Sequence, residues 1–270
     1  ELASKPRCMV GFITFDSSLH FYSLNRSHSS PHMMVVGELD NVLMPPSADL
    51  LVPLADTREL IDKLLAAMPA MHANTKVADS CLGSALRAAY RLMAPTGGKV
   101  MLFQCAMPSL GVAPVKNRDD PKVLGTDKEH PLLQPGEEFY KNFGLDCSRQ
   151  QISVDTFLFA STAYTDVPSL GAMSEVTGGE LFYYPVGQLD DGDRERLMYD
   201  IRADISRVTG FEAVMRVRVT NGVKLNSYFG NFFVRSSDLL ALPNVDAHKA
   251  YAATMSISQQ LPPQRRIVVQ

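Results

Sequence analysis

Two arginines, Arg216 and Arg218, in the β-rich run from Phe211 to Val219, are the side chains of this 270-residue sequence best suited to hold a ligand. At a spacing of two they share one face of a strand, while Met215, Val217 and Val219 share the other. Two guanidinium forks side by side suit a clamp for carboxylates. The same spacing also describes a solvated outer face with cross-strand pairing, so the residues alone leave both readings open.

Other groups that could do chemistry read more simply as structure. Gly97-Gly98-Lys99 looks like part of a phosphate loop, but such a loop runs from strand through glycines to a helix N-terminus. Here a helix runs into the glycines, which reads as a C-cap turn. Asp190-Asp191-Gly192-Asp193 lacks the spacing and distal Glu of a calcium loop and reads as a helix start capped at Asp193. The pairs Asp119-Asp120 and Glu137-Glu138 read as solvated carboxylates on a loop and at a helix start, not as catalytic acids. Cys8, Cys81, Cys105 and Cys147 form no C-x-x-C pair, which argues against a zinc knuckle or disulfide framework and fits a reducing compartment. With no G-x-S-x-G or H-E-x-x-H, a hydrolase would need a separated Cys-His pair to meet in space. Asn25-Arg26-Ser27 matches a glycosylation sequon and reads as a chance triplet, since the sequence shows no secretory signal.

Composition narrows the class. With 46% apolar and 20% charged residues the chain can bury a sizeable core. A net charge of -3 gives no basic field for non-specific nucleic-acid binding. No apolar run reaches about 18 residues, so nothing is expected to span a bilayer.

The frame is centred on Asp79 to Cys105, read as a helix, a sharp stop and a central strand, Val100 to Phe103, apolar on both faces. Asp79 or Ser80 is expected to cap the helix, and Leu82, Ala85, Leu86, Ala89 and Met93 form its stripe. Gly83, Ala85 and Ala89 are expected to bring the helix close to the sheet. Upstream, Arg7 to Phe15 and Leu19 to Leu24 read as a hairpin at a sheet edge, and Met33 to Val36 as a short extended piece. Thr57 to Met68 reads as a helix with Asp56 and Glu59 at capping-box spacing, stopped by Pro69. Residues 106 to 136 read as a long loop. Ile152 to Ala160 is a strand, Leu170 to Val176 a short helix and Glu180 to Tyr184 another strand. A further helix places Leu197, Ile201, Ile205 and Val208 on one face. Beyond Gly210 the pattern becomes all-β, with Asn221-Gly222 expected to join two runs, to Val219 and from Val223 to Arg235, as a hairpin.

The runs GFITFDSSLHFY, MMVVGELDNV, LGSALRAAYRLMAPTGGKV, FYKNFGLDCSRQQISVDTFLF, GFEAVMRVRVTNG and GNFFVRSSDLLAL, together with PSLG, carry a resemblance. They look like the Sec-twenty-four family, the cargo-selecting subunit of the inner COPII vesicle coat, in order over nearly the whole chain. The resemblance implies an α/β fold, a von Willebrand factor A-like trunk with a mostly parallel sheet flanked by helices over 1-209, then part of a β-sandwich over 210-270. It implies binding work and no enzyme activity: pairing with the GTPase-activating subunit of the coat as a heterodimer, recruitment by the coat's membrane-bound small GTPase, and recognition of export signals on cytoplasmic tails of cargo. The expected setting is the cytoplasm, peripheral on endoplasmic reticulum exit sites and COPII vesicles, with no nucleic acid.

The resemblance also raises Arg216 and Arg218, because VMRVR matches the family segment whose paired arginines bind acidic sorting signals. It places a zinc module and the trunk's first, central strand before Glu1, so no cofactor is expected in this chain and zinc is expected upstream. Met255 to Leu261 and Arg265 to Val269 resemble two sandwich segments with only Pro262, Pro263 and Gln264 between them, an expected deletion or closed-up loop. A von Willebrand type A metal site needs D-x-S-x-S on the first strand and usually an Asp after the next central one. Gln104-Cys105 follows Phe103 instead, so no magnesium site is expected. The alternative kept alongside is a metal-dependent ligand-binding module of the same fold.

Overall fold

The computed structural model describes residues 8–160, 164–184, 189–236, 238–261 and 266–270. Arg7, Pro262 to Gln264 and Arg265 lie outside them. The apolar run after Cys8 does not stay one strand. It turns at Gly11, where a Cβ would meet the Leu50 carbonyl oxygen at 2.6 Å, and gives β1 (Met9–Val10) and β2 (Ile13–Phe15). β2 pairs antiparallel with β3 (Leu19–Ser23) across a turn in which Asp16 Oδ1 accepts from Ser18 N at 2.9 Å. The hairpin is as expected, but β3 is central: β4 (His32–Val36) takes its other edge and every β3 residue is buried.

After α1 (Ser47–Leu50), β5 (Val52–Pro53) pairs with β1 and leads directly into α2 (Leu54–His72). This helix differs from its expected limits at both ends. Pro53 is the N-cap, no capping box forms, and Thr57 Oγ1 donates to the Pro53 carbonyl at 2.9 Å. Pro69 sits inside the last turn, where its missing N–H removes only one helical bond and leaves room to reach His72. Leu60, Ile61 and Leu64 are buried, but Leu65 is exposed.

α3 (Leu82–Met93) joins two cores, with Leu82 and Leu86 in one and Cys81, Ala85, Ala88 and Leu92 in the other. Its N-cap is Cys81, without a side-chain bond. The expected caps are used elsewhere: Asp79 Oδ1 accepts from Ser109 Oγ and Ser80 Oγ from Gln104 Nε2. Gly83 allows close approach to the Val112 carbonyl of the following loop rather than to a sheet. The Gly97-Gly98 turn forms as read, with Gly97 N donating to Met93 O at 2.8 Å.

β6 (Gly98–Gln104) follows, and after a loop with one 3-10 turn at His130–Leu133 come α4 (Glu138–Arg149), β7 (Ile152–Phe159), α5 (Val167–Thr177), β8 (Leu181–Tyr184) and α6 (Asp191–Ser206). Strands β6, β7 and β8 form a parallel sheet in that order. Among the described residues the central strand is therefore β7, not β6. β6 stands at an edge, and its Phe103 is 47% exposed. One sheet face, with Leu102, Ile152, Val154 and Leu158, packs on α4 and α5 through Tyr140, Phe143, Cys147, Leu170 and Met173. On the other, Phe103, Phe157 and Phe182 stack across the strands at 4.8 and 4.5 Å.

α6 buries the expected stripe only in part: Leu197 and Ile201 are half-buried, Ile205 and Val208 are exposed, and the residue the helix buries fully is Asp204. The helix also makes polar contacts, with Tyr184 Oη donating to Asp200 and Arg196 lying over the Tyr184 ring. Its cap is Asp190, which accepts from Asp193 N at 2.7 Å; Asp193 is the donor partner, not the cap.

The β-rich region holds β9 (Thr209–Arg216), β10 (Val223–Phe229), β11 (Phe233–Ser236), β12 (Leu239–Asp246) and β13 (Ala252–Ile257). The Asn221-Gly222 turn is present, with Gly222 at φ 96°, yet the strands it joins do not pair. β9 pairs with β12 from Thr209↔Asp246 to Arg216↔Leu239, and β10 pairs with β13. Each strand pairs instead with a partner further along the chain. The run to Arg235 also breaks at Gly230, φ 137°, which separates β10 from β11. β12 is buried along most of its length, and Asn244 Nδ2 donates to Ser153 Oγ of β7 at 3.2 Å, so β12 is the seam between the two regions.

Candidate functional site

The strand alternation read from the sequence is present in and just beyond β9. Ala213, Met215, Val217 and Val219 are partly buried, whereas Val214, Arg216 and Arg218 are exposed. Leu239 fixes Arg216 by register, and Arg218 exchanges two backbone bonds with Gln270, at 2.8 and 2.9 Å. The two arginines thus lie on one outer face about 7 Å apart along the chain, at the rise of an extended strand. Arg216 Nε meets Asp238 Oδ2 at 3.2 Å, with both side chains more than 40% exposed. Such a pair is weak and exchangeable for another carboxylate. Arg218 makes no side-chain hydrogen bond or ion pair among the described residues. Both sequence readings are therefore partly met: the face is solvated and Arg216 has a local partner, while two forks remain accessible to an anionic ligand. Arg235 on β11 adds a third exposed cation in the same sheet. A lone arginine in Phe233-Val234-Arg235 carries no spacing signal, so the sequence does not single it out.

The C-terminal ends of the parallel strands carry different chemistry. Gln104 Nε2, at the end of β6, donates to Ser80 Oγ and to the Ala106 carbonyl. Asp166, beyond β7, is buried and caps α5 by accepting from Ser169 N and Ser169 Oγ. It also receives Arg118 through Nε at 3.1 Å and a terminal nitrogen at 2.6 Å, a bidentate pair that raises the Arg118 pKa. A cavity of about 230 Å³ beside this pair is lined by Arg118, Asp119, Leu132, Thr165, Asp166 and Tyr183 among others. The buried carboxylate at this end of the sheet is thus already engaged by a guanidinium. No group of three His, Cys, Asp or Glu side chains among the described residues is placed to hold a metal ion.

The remaining candidates do not converge. Asp119, Asp120 and Glu138 are exposed, and Glu137 accepts from Phe139 N. Burial pushes the Cys81 thiol up to about 11 and the Cys147 thiol up to about 12, which keeps both protonated and poorly nucleophilic. Cys81 Sγ donates weakly to the Ser18 carbonyl. His20 bonds Thr14 and Ser18 instead of a cysteine, and Asn25 Nδ2 of the sequon donates to Asp49 at 2.8 Å.

Comparison with known proteins gives a consistent result. A family model described as the Sec23/Sec24 trunk domain matches residues 1–205, and one described as the Sec23/Sec24 beta-sandwich domain matches residues 210–270. The chain is 44% identical over 262 residues to protein transport protein SEC24 A of Arabidopsis thaliana, covering 97% of this chain and 25% of that protein. It is 43% identical over 263 residues to human protein transport protein Sec24B, covering 97% of this chain and 21% of that one. The chain therefore spans about a quarter of the length of these curated relatives. The crystal structure of the human COPII-coat protein Sec24c superposes with a TM-score of 0.89 at 31% identity, over 97% of this chain and 35% of that one.

Proposed function

Because the chain belongs to the Sec23/Sec24 family, we propose that it is the trunk and part of the β-sandwich of a COPII cargo-adaptor subunit. In this reading it pairs with the GTPase-activating subunit of the inner coat, is recruited by the coat's small GTPase, and binds export signals on cargo tails for transport from the endoplasmic reticulum to the Golgi. The observation that carries it is the collinear likeness of nearly the entire chain to Sec24 proteins, in sequence and in fold. No helix of the described residues is long and apolar enough to cross a membrane, which suits peripheral attachment to vesicle and exit-site membranes.

Arg216 and Arg218 are assigned to the cargo side of this function. An acidic tail peptide would displace Asp238 from Arg216 and find Arg218 beside it, gaining charge-assisted bonds from two forks on a rigid strand. The described parts of β2 and β6 each leave one edge unpaired, and the family's first trunk strand would lie against such edges. That strand and a zinc module are assigned to sequence preceding Glu1. The work is binding and assembly rather than catalysis.

The test is a pull-down of the complete subunit against the purified GTPase-activating coat partner. Stable one-to-one binding is the expected result. Failure of a well-folded subunit to bind would remove the coat assignment and leave the fold alone.

A further inference from the structure

The seam between the parallel sheet and the β-rich region contains a continuous ion network. Lys99 Nζ of β6 lies 2.8 Å from Asp155 Oδ2 of β7 and 2.6 Å from Asp204 Oδ1 of α6. Arg207, just past α6, reaches Asp204 at 2.7 Å, Glu180 at 3.0 Å and, through Nε, Asp246 of β12 at 3.2 Å. Lys249 reaches Glu180 at 3.1 Å. Tyr251 is close enough to Asp246 for that carboxylate to add to the rise in its pKa, behind burial. The backbone N–H of Glu180 donates to Asp155 Oδ1 at 2.7 Å.

Fully ionised, this network does not balance. The carboxylates of Asp155, Glu180, Asp204 and Asp246 face the cations Lys99, Arg207 and Lys249, an excess of one negative charge. The side chains of Asp155, Asp204 and Asp246 are fully buried, so water does not screen the excess. Asp155 and Asp204 share one ammonium; Asp204 also meets Arg207, whereas Asp155 has Lys99 as its one cation among the described residues. We infer that the network holds one proton on Asp155, which makes the seam between sheet and β12 a proton-linked joint.

Burial pushes the Asp155 carboxyl up; Lys99 opposes this and Asp204 adds to it. A carboxyl that keeps its proton in the fold but loses it when unfolded stabilises the protein less as pH rises above the ordinary aspartate range, until the folded group also ionises. Asparagine at this position supplies an N–H where the acid supplies an O–H, and it cannot ionise.

The test compares the complete protein with Asp155→Asn and Asp246→Asn by thermal unfolding and by hydrogen exchange of the β12 amides, from about pH 5 to about pH 8, above the ordinary aspartate range. The folding equilibrium of Asp155→Asn should gain on the wild type by up to about tenfold per pH unit, one proton's worth. Asp246→Asn, which takes a partner from Arg207, should be weaker than the wild type throughout. Parallel pH curves for the wild type and Asp155→Asn would overturn the proposal. So would an Asp155→Asn protein as unstable at every pH as Asp246→Asn, or one that does not fold. None of these outcomes depends on cargo or coat binding.

Discussion

An exposed arginine on a strand adds little to a fold, so its removal separates binding from stability. For Arg216→Ala with Arg218→Ala we expect a loss of about 1 kcal/mol or less in stability, since the Asp238 pair is a surface one. Affinity for an acidic tail peptide should fall by about 1 to 3 kcal/mol, as for lost bonds to charged groups. Fluorescence anisotropy with the complete subunit measures this, and an unchanged affinity in a folded double variant would remove the assignment. Asp166 is the opposite case. It is buried, caps α5 and pairs with Arg118, so Asp166→Ala should cost about 3 kcal/mol by chemical denaturation. His20 gives a pH dependence. Burial holds its pKa below the ordinary histidine value, against the pull of Asp16. The unfolded chain therefore takes up the proton first, and stability should be lost as pH falls through about 6.5 toward the folded value. His20→Gln should flatten that slope.

At the scale of elements, close packing and backbone chemistry decide what is tolerated. Gly179 turns the chain between α5 and β8, and a Cβ there would overlap the Val154 carbonyl of β7. Gly179→Ala must push the turn off the sheet, and we expect a cost above about 2 kcal/mol, in the range of overpacked cores. Pro69 is the reverse. Its ring denies α2 one bond in the last turn, so Pro69→Ala should stabilise the helix, by at most about 3 kcal/mol. Thermal unfolding of the two variants reads both, and the opposite signs make the comparison informative.

At the scale of the whole molecule, β12 and the ion network bind the β-rich region to the parallel sheet, which fixes β9 and its arginines relative to the trunk. For a metal-dependent module, calorimetry with magnesium would give a saturable heat; we expect none, with Asp166 already held by Arg118. The sequence determined most of the local structure. Helical spacing marked α3 and α5, apolar runs marked β6 and β7, and alternation put Arg216 and Arg218 on one face, because these patterns depend on neighbours a few residues apart. Strand partners were another matter. Asn221-Gly222 makes its turn, but β9 pairs with β12 and β10 with β13, and a turn signal carries no information about such distant partners. In α6, likewise, Ile205 of the apolar stripe stays exposed while Asp204 is buried. Lys99, Asp155 and Arg207 are far apart in the chain, and only tertiary structure brings their charges together, since an ion pair needs proximity in space and leaves no periodicity in sequence.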